Sequence, residues 1–388
     1  MTETVMDLPP AARAGTGEEF RRYAREALQA VAREVGWTTR PAVGSGDGYD
    51  RERRRELDQR LADLGWAGIA VPQAYGGAGR TLAEQAVFAK EAAALGLSTP
   101  YNRVALGIVV PALLLFGTEA QKVRLLPAAL GSREIWCQGF SETEAGSDLA
   151  NLRTAARLDG DTWRISGRKV WTTMASEADR CLVLARTEAG SARHRGITAL
   201  LVPMHQKGVT VRPITQINGD RDFAELELDD AVCASHEVLG ALGGGWNVAM
   251  TALSYERSLH LLQRQLRLGL MASELQASVK WSDLAEAGER MLDIITSIRG
   301  LSRSVESQLG TLERGGLVGV EANASKIVWS ETYQALARLG LDLALAGRGG
   351  DVQCWTQEYL SSLATSIYAG TNEIQRSIVA ERGMGLPR

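Results

Sequence analysis

The chain has 388 residues, with 43 Lys plus Arg against 46 Asp plus Glu and a formal net charge of −3. That length holds two or three structural units with a substantial core, and the charge balance offers no electrostatic footprint for nucleic acid or an anionic membrane. Four scattered cysteines with no Cys-x-x-Cys pair and four histidines without ligand spacing exclude a disulfide framework or a zinc site as the organising feature.

In chain order, residues 1–16 hold Pro9, Pro10 and small side chains and are expected to fray. Apolar spacing of helical period runs over 18–34, followed by a Gly/Pro/Ser loop over 41–50 and a charged amphipathic helix over 51–64. An apolar, glycine-containing connector at 65–77 leads to an Ala-rich helix over 81–95 with Thr81 as its N-cap. Shorter helices follow over 103–116 and 118–130. The N-terminus lacks a continuous apolar signal-type region and no apolar run reaches membrane-spanning length, so cytoplasmic residence without membrane insertion is the expectation.

The texture changes at Glu134. Short β-type runs appear at 163–165, 181–185, 197–202, 209–211 and 224–228, separated by turns such as Asp159-Gly160-Asp161 and Asn218-Gly219-Asp220. Regular short strands with turn signals predict a small β-barrel or sandwich. Residues 240–245 form a glycine-rich linker, and from Trp246 onward the pattern is helical again. The expected class is α+β, divided into a helical segment 1–132, a β segment 133–240 and a helical segment 241–388.

Four stretches carry the chemistry. The first runs from Ile135 to Asp148, an apolar strand that ends in a loop of small and acidic residues. Its Ala145, Gly146 and Ser147 allow close approach to the backbone, and Ser141 and Ser147 offer hydroxyls. The second is Lys169-Val170-Trp171-Thr172-Thr173, a strand ending in an aromatic and two hydroxyls. The third is Ser254-Tyr255-Glu256-Arg257 inside a helical pattern, and the fourth is the loop Tyr368-Ala369-Gly370-Thr371-Asn372-Glu373 opening a last helix. Alone, each reads as a turn, a packed tryptophan or a solvated glutamate.

Together, in this order and at these distances, the four resemble the acyl-CoA dehydrogenase family of flavoenzymes, from about Glu18 to Arg388. The resemblance implies an N-terminal helical domain, a middle β domain and a C-terminal four-helix bundle. It implies FAD as cofactor and an acyl-CoA substrate, with an electron-transfer flavoprotein as acceptor and a homo-oligomeric assembly, dimer or tetramer. Flavin contacts are implied for Gln138, Phe140, Ser141, Ser147, Trp171, Thr173, Thr371 and Glu373. Substrate contacts are implied for Ser147, Tyr255, Arg257, Ala369 and Gly370. Ala369 N–H would donate to the thioester oxygen.

The base is the most informative point. Many family members carry a Glu in a Tyr-Glu-Gly-Thr loop, where this chain has Ala369, which accepts no proton. A branch of isovaleryl type places the Glu on a C-domain helix instead, and Glu256 matches that position. On a helix, Glu256 shares a face with Ala249, Ala252, Leu253, Leu259 and His260. An apolar face raises a carboxyl pKa toward the range useful for a base. An ion pair with Arg257 is the structural alternative.

Two departures stand out. Ser141-Glu142-Thr143-Glu144 replaces the common Thr-Glu-Pro-Gly, keeping a hydroxyl. Around 277–290 there is no Arg-x-x-Phe-Gly segment of the kind that reaches the adenosine end of a neighbouring subunit's FAD, which leaves the adenosine contacts open. The alternatives carried forward are dehydrogenation of an acyl group on a carrier protein, a non-catalytic subunit of a heteromeric dehydrogenase, and an oxygen-using enzyme on the same fold.

Overall fold

The computed structural model describes residues 9–39, 41–44, 50–97, 99–255, 261–316 and 318–387. The chain forms two compact units, one gathering Met1–Val71, Ala78–Pro100 and Glu256–Arg388, the other Pro72–Gly77 and Tyr101–Tyr255.

The first unit begins with helices α1 (Gly17–Glu34), α2 (Arg51–Asp63) and α3 (Leu82–Ala94). The α1 stripe Phe20, Ala24, Ala27, Leu28 and Val31 joins Leu57 and Leu61 of α2, Trp66, and Ala92 of α3 in one core. Helix α3 starts where the sequence predicts: Glu84 N–H donates to Thr81 Oγ1 and Thr81 N–H donates to the Glu84 carboxylate, both at 3.1 Å. The expectation that 9–16 frays is corrected. Ala11 and Ala14 are fully buried, and Ala11 N–H donates to Gly65 O at 3.2 Å. The buried indole of Trp66 needs an acceptor and finds Pro9 O at 3.1 Å.

The second unit opens with α4 (Val110–Phe116) and α5 (Glu119–Leu130). The helix expected over 103–116 contains a wider π turn at Ala105–Val109, immediately before α4. Pro111 lacks the N–H that a regular turn would use there. Strands β1 (Trp136–Gly139), β2 (Ala155–Asp159), β3 (Thr162–Thr173), β4 (Arg180–Arg186), β5 (Ile197–Pro203), β6 (Val209–Ile214), β7 (Phe223–Ala234) and β8 (Val238–Leu239) form one sheet ordered β6-β7-β3-β2-β4-β5-β8. β1 runs parallel to β4, with Gln138 opposite Leu182 and Gly139 opposite Val183. Ile165, Ala224 and Leu226 of the β3/β7 pair share a core with Cys181, Val183, Leu200 and Val202 of the β4/β5 pair. The sheet therefore curls over on itself, the arrangement the strand spacing predicts. The runs 163–165 and 169–173, read separately in sequence, are one twelve-residue strand bent by bulges. Helix α6 (Gly245–Tyr255) closes this unit.

The first unit resumes with α7 (Leu261–Ser278), α8 (Ala285–Glu313), α9 (Val320–Leu345), α10 (Val352–Leu363) and the short α11 (Asn372–Ile378). Helices α7 to α10 pack around Met271, Leu275, Ile294, Leu301, Leu336, Leu343 and Trp355. Gly340 lets the Trp355 ring lie on the α9 backbone, since a Cβ there would collide with the ring. No described helix is long and apolar enough to cross a membrane.

Candidate active site

One group of candidate residues lies in the β unit. The loop after β1 is tied to β3 by Val170 N–H, which donates to Ser141 O at 2.9 Å. That bond brings the predicted residues 138–141 beside 171–173. Lys169 pairs with Leu226 of β7 and Thr172 with Ala224, so three steps on β3 match two on β7. The extra residue is a β-bulge, which re-aims a side chain out of the ladder. Trp171 takes the left-handed conformation there, φ 59°, and stands 57% exposed. Its ring lies edge-on to that of Phe223, with centroids 6.1 Å apart at 82°.

The Phe140 side chain is buried, so only its backbone can face a ligand. Gly139 sits where a Cβ would press on Cys181 Sγ at 3.0 Å and Lys169 Cγ at 3.3 Å. Ser147 is exposed on the loop beyond. The side chains of Gln138, Ser141, Ser147, Trp171 and Thr173 make no hydrogen bond among the described residues. A solvent-facing indole beside unengaged hydroxyl and amide groups fits a flat aromatic ligand with donors and acceptors along its edge.

Beneath these groups lies a pair whose role the sequence reading missed. Lys169, fully buried, donates from Nζ to Glu142 Oε1 at 2.8 Å and to Phe140 O at 3.2 Å. Glu142 also accepts from Arg153 N–H at 2.6 Å and Thr154 N–H at 2.9 Å. Burial alone would raise the Glu142 carboxyl, but Lys169 and the bonds from Thr154 and Arg153 outweigh it and hold the group below its ordinary value. Burial pulls the Lys169 ammonium down, with Glu142 opposing. The pair pins residues 140–142 and 153–154 to β3.

A second group of candidate residues lies in the first unit, on the loop between α10 and α11. Ala369 and Gly370 both have positive φ, 54° and 83°. Gly370 is required, since a Cβ there would collide with the Gln375 amide. Gln375 Nε2 donates to Ala369 O at 3.0 Å, and Asn323 of α9 donates to Gln375 Oε1. Asn372 Oδ1 accepts from Lys326 Nζ at 2.8 Å and from Ser330 Oγ at 3.1 Å. Asn323, Lys326, Ser330, Asn372 and Gln375 are all buried. Thr371 caps α11, accepting from Ile374 N–H at 3.2 Å. Glu373 is exposed, and its own N–H and the Thr371 hydroxyl hold its carboxylate below the usual range. The N–H groups of Ala369 and Gly370 have no acceptor among the described residues.

Tyr255 is the half-buried last residue of α6, following the buried Ala249 and Ala252. Glu256 and Arg257 lie outside the described residues. The buried polar set on α9 went unread because its members are spread over a helix and meet the loop only through folding.

Three domain-family profiles match the chain: acyl-CoA dehydrogenase N-terminal domain over residues 16–132, middle domain over 137–231 and C-terminal domain over 243–384. The chain is similar to acyl-CoA dehydrogenase IpdE1 of Mycobacterium tuberculosis, 40% identical over 349 residues covering 87% of this chain and 89% of that protein. It is similar to the mitochondrial short-chain specific acyl-CoA dehydrogenase of Bos taurus, 29% identical with 85% and 83% of the two chains covered. The solved structure of the steroid ACAD Tcur3481-Tcur3483 superposes with a TM-score of 0.82 at 29% identity, covering 96% of this chain and 97% of that one. The chain belongs to the acyl-CoA dehydrogenase family and is an oxidoreductase acting on acyl-CoA thioesters.

Proposed function

We propose that this acyl-CoA dehydrogenase converts a saturated acyl-CoA to its 2-enoyl thioester with FAD as cofactor and Glu256 as the base. The observation that carries the reading is Ala369. The loop position where many family members hold the base is a methyl side chain in left-handed backbone, its N–H without an acceptor among the described residues. The loop is built to donate a hydrogen bond and cannot take a proton, so the carboxylate must come from elsewhere, and Glu256 is the residue whose place in the sequence fits.

Gln138, the Phe140 backbone, Ser141, Ser147, Trp171, Thr173, Thr371 and Glu373 would hold the flavin, which supplies the hydride acceptor when bound. Ser147, Tyr255, Arg257, Ala369 and Gly370 would hold the thioester. Ala369 N–H bonds the carbonyl oxygen and stabilises the charge that gathers there as the alpha proton leaves. Glu256 takes that proton. Trp171 shields the reacting groups from water, and the Glu142–Lys169 pair keeps Ser141 at a fixed distance from β3. An electron-transfer flavoprotein is the proposed acceptor, and the assembly is a homo-oligomer.

The test is Glu256→Gln. The variant should keep its bound flavin while the rate of flavin bleaching by acyl-CoA falls about 10²- to 10⁴-fold, the usual contribution of a positioned base. Unchanged turnover would falsify the assignment. Flavin content of the chain purified alone decides against a non-catalytic role in a heteromer, which predicts little or none.

A further inference from the structure

Arg264 of α7 is half-buried, and its guanidinium carbon lies 4.9 Å from the centre of the Trp329 ring and 5.2 Å from that of Tyr368. The two rings are 6.3 Å apart at 44°. Ring faces attract a guanidinium through their quadrupoles. That contact uses the charge of the cation and gives its N–H donors no lone-pair acceptor.

Among the described residues, Arg264 has no hydrogen-bond acceptor and no carboxylate at ion-pair distance. Arg267, one turn further along α7, shows the contrast. It donates to Glu358 at 2.6 Å and to Ala42 O at 3.1 Å. Among the described residues, then, Arg267 is neutralised and Arg264 is a cation partly withdrawn from water, an unfavourable arrangement unless an acceptor arrives. The place is specific. Tyr368 directly precedes Ala369 and Gly370, the loop with unengaged N–H groups.

We propose that Arg264 determines acyl specificity: the acyl group carries an acceptor oxygen remote from the thioester, and the Arg264 fork bonds it. A carboxylate is the tightest class and a ketone the weaker one. The inference rests on the reading of the 369–370 loop as the thioester site. The phosphates of CoA are the other anions such a ligand brings, but a position against Tyr368, the neighbour of Ala369, favours the acyl end.

The experiment uses the full-length, flavin-loaded protein and non-oxidisable acyl-CoA analogues of one chain length, ending in a methyl, a ketone or a carboxylate. By calorimetric titration the carboxylate should bind about 10- to 100-fold tighter than the methyl analogue, the range for a hydrogen bond to a charged group, with the ketone between them. Arg264→Gln should abolish the ranking. Arg264→Lys keeps the charge without the planar fork and should retain part of the carboxylate preference while losing that for the ketone. Flavin content reports that each variant folds. Equal binding of the three by the unmutated protein, or a ranking that survives Arg264→Gln, overturns the assignment and leaves the dehydrogenase reading standing. Equal weakening of all three by Arg264→Gln assigns the cation to the CoA phosphates and overturns it too. Failure of all three to bind overturns both readings together.

Discussion

The two groups of candidate residues, one in each unit, are held by different chemistry. In the β unit, the loop after β1 is fixed by an ion pair, Lys169 with Glu142, sunk under the strand. In the first unit, the 369–370 loop is fixed chiefly by side-chain amides, with Asn372 and Gln375 bonded to Asn323, Lys326 and Ser330 of α9. An ion pair in a dry place is strong while both members are charged, and leaves a costly orphan when one is lost. Amides do not titrate, and their loss costs a hydrogen bond at a time. The β-unit group, which includes a carboxylate that titrates in the acid range, should therefore be the more brittle and the more sensitive to acid.

The largest expected effect is at the ion pair. Lys169→Met leaves the Glu142 carboxylate buried with only backbone donors and should destabilise the β unit by about 3–5 kcal/mol. Glu142→Leu combined with Lys169→Met removes both charges and should recover a substantial part. A double variant no more stable than the single one in thermal unfolding would mean that the pair is not an isolated electrostatic unit.

The pH response follows with its sign. Glu142 sits below its ordinary value of 4.5 in the folded protein. Its contribution is present above about that pH and is lost as pH falls through the lower folded value. Lys169 is also lowered, from 10.5, mainly by burial, so its term is unfavourable at neutral pH and is relieved as pH rises through its folded value. Both terms make the fold gain stability with rising pH. Thermal scans from pH 6 down to pH 3 should show the acid loss in the unmutated protein and a shallower one in the double variant.

At the amide-held loop the expected effect is smaller. Gln375→Leu nearly conserves volume but strips Ala369 O and Asn323 of their partner, at about 1–3 kcal/mol. Because Gln375 braces the backbone whose N–H would meet the thioester, kcat/KM should fall with flavin content unchanged. An intact kcat/KM would show that Ala369 needs no brace.

What the sequence disclosed and what it hid follow the same division between local and distant contacts. The capping box of Thr81 and Glu84 was legible because its partners are three residues apart. The strand runs of the middle segment were legible through their period. Continuity of β3 was not, because the strand is irregular between its two apolar runs, with register shifts at Ile165/Gly167 and Lys169/Thr172 that break the period. The anchoring of 9–14, with Ala11 and Ala14 buried, was hidden because one of its partners, the indole of Trp66, lies more than fifty residues away. The Glu142–Lys169 pair spans 27 residues, and each member alone looks like a surface charge. Arg264 reads in sequence like Arg267. Only the fold shows that Arg267 meets the Glu358 carboxylate, while Arg264 meets rings and no carboxylate among the described residues.

The smallest effect tests the exposed end of the comparison. Trp171 is held at φ 59°, a conformation that costs most residues about 1–2 kcal/mol and that asparagine tolerates better. At 57% exposure its burial contributes little, and the edge contact with Phe223 is worth about 0.5–1.5 kcal/mol. Trp171→Asn should therefore change the stability of the flavin-free protein by no more than about 1 kcal/mol, with the backbone gain and the lost contact nearly cancelling. Flavin retention in the same variant should drop clearly, because the ring that would cover the cofactor is gone. A variant that unfolds readily yet keeps its flavin would make Trp171 a packing residue. A ring kept in strained backbone, facing water and contributing almost nothing to the fold, is the expected signature of a side chain placed for its ligand.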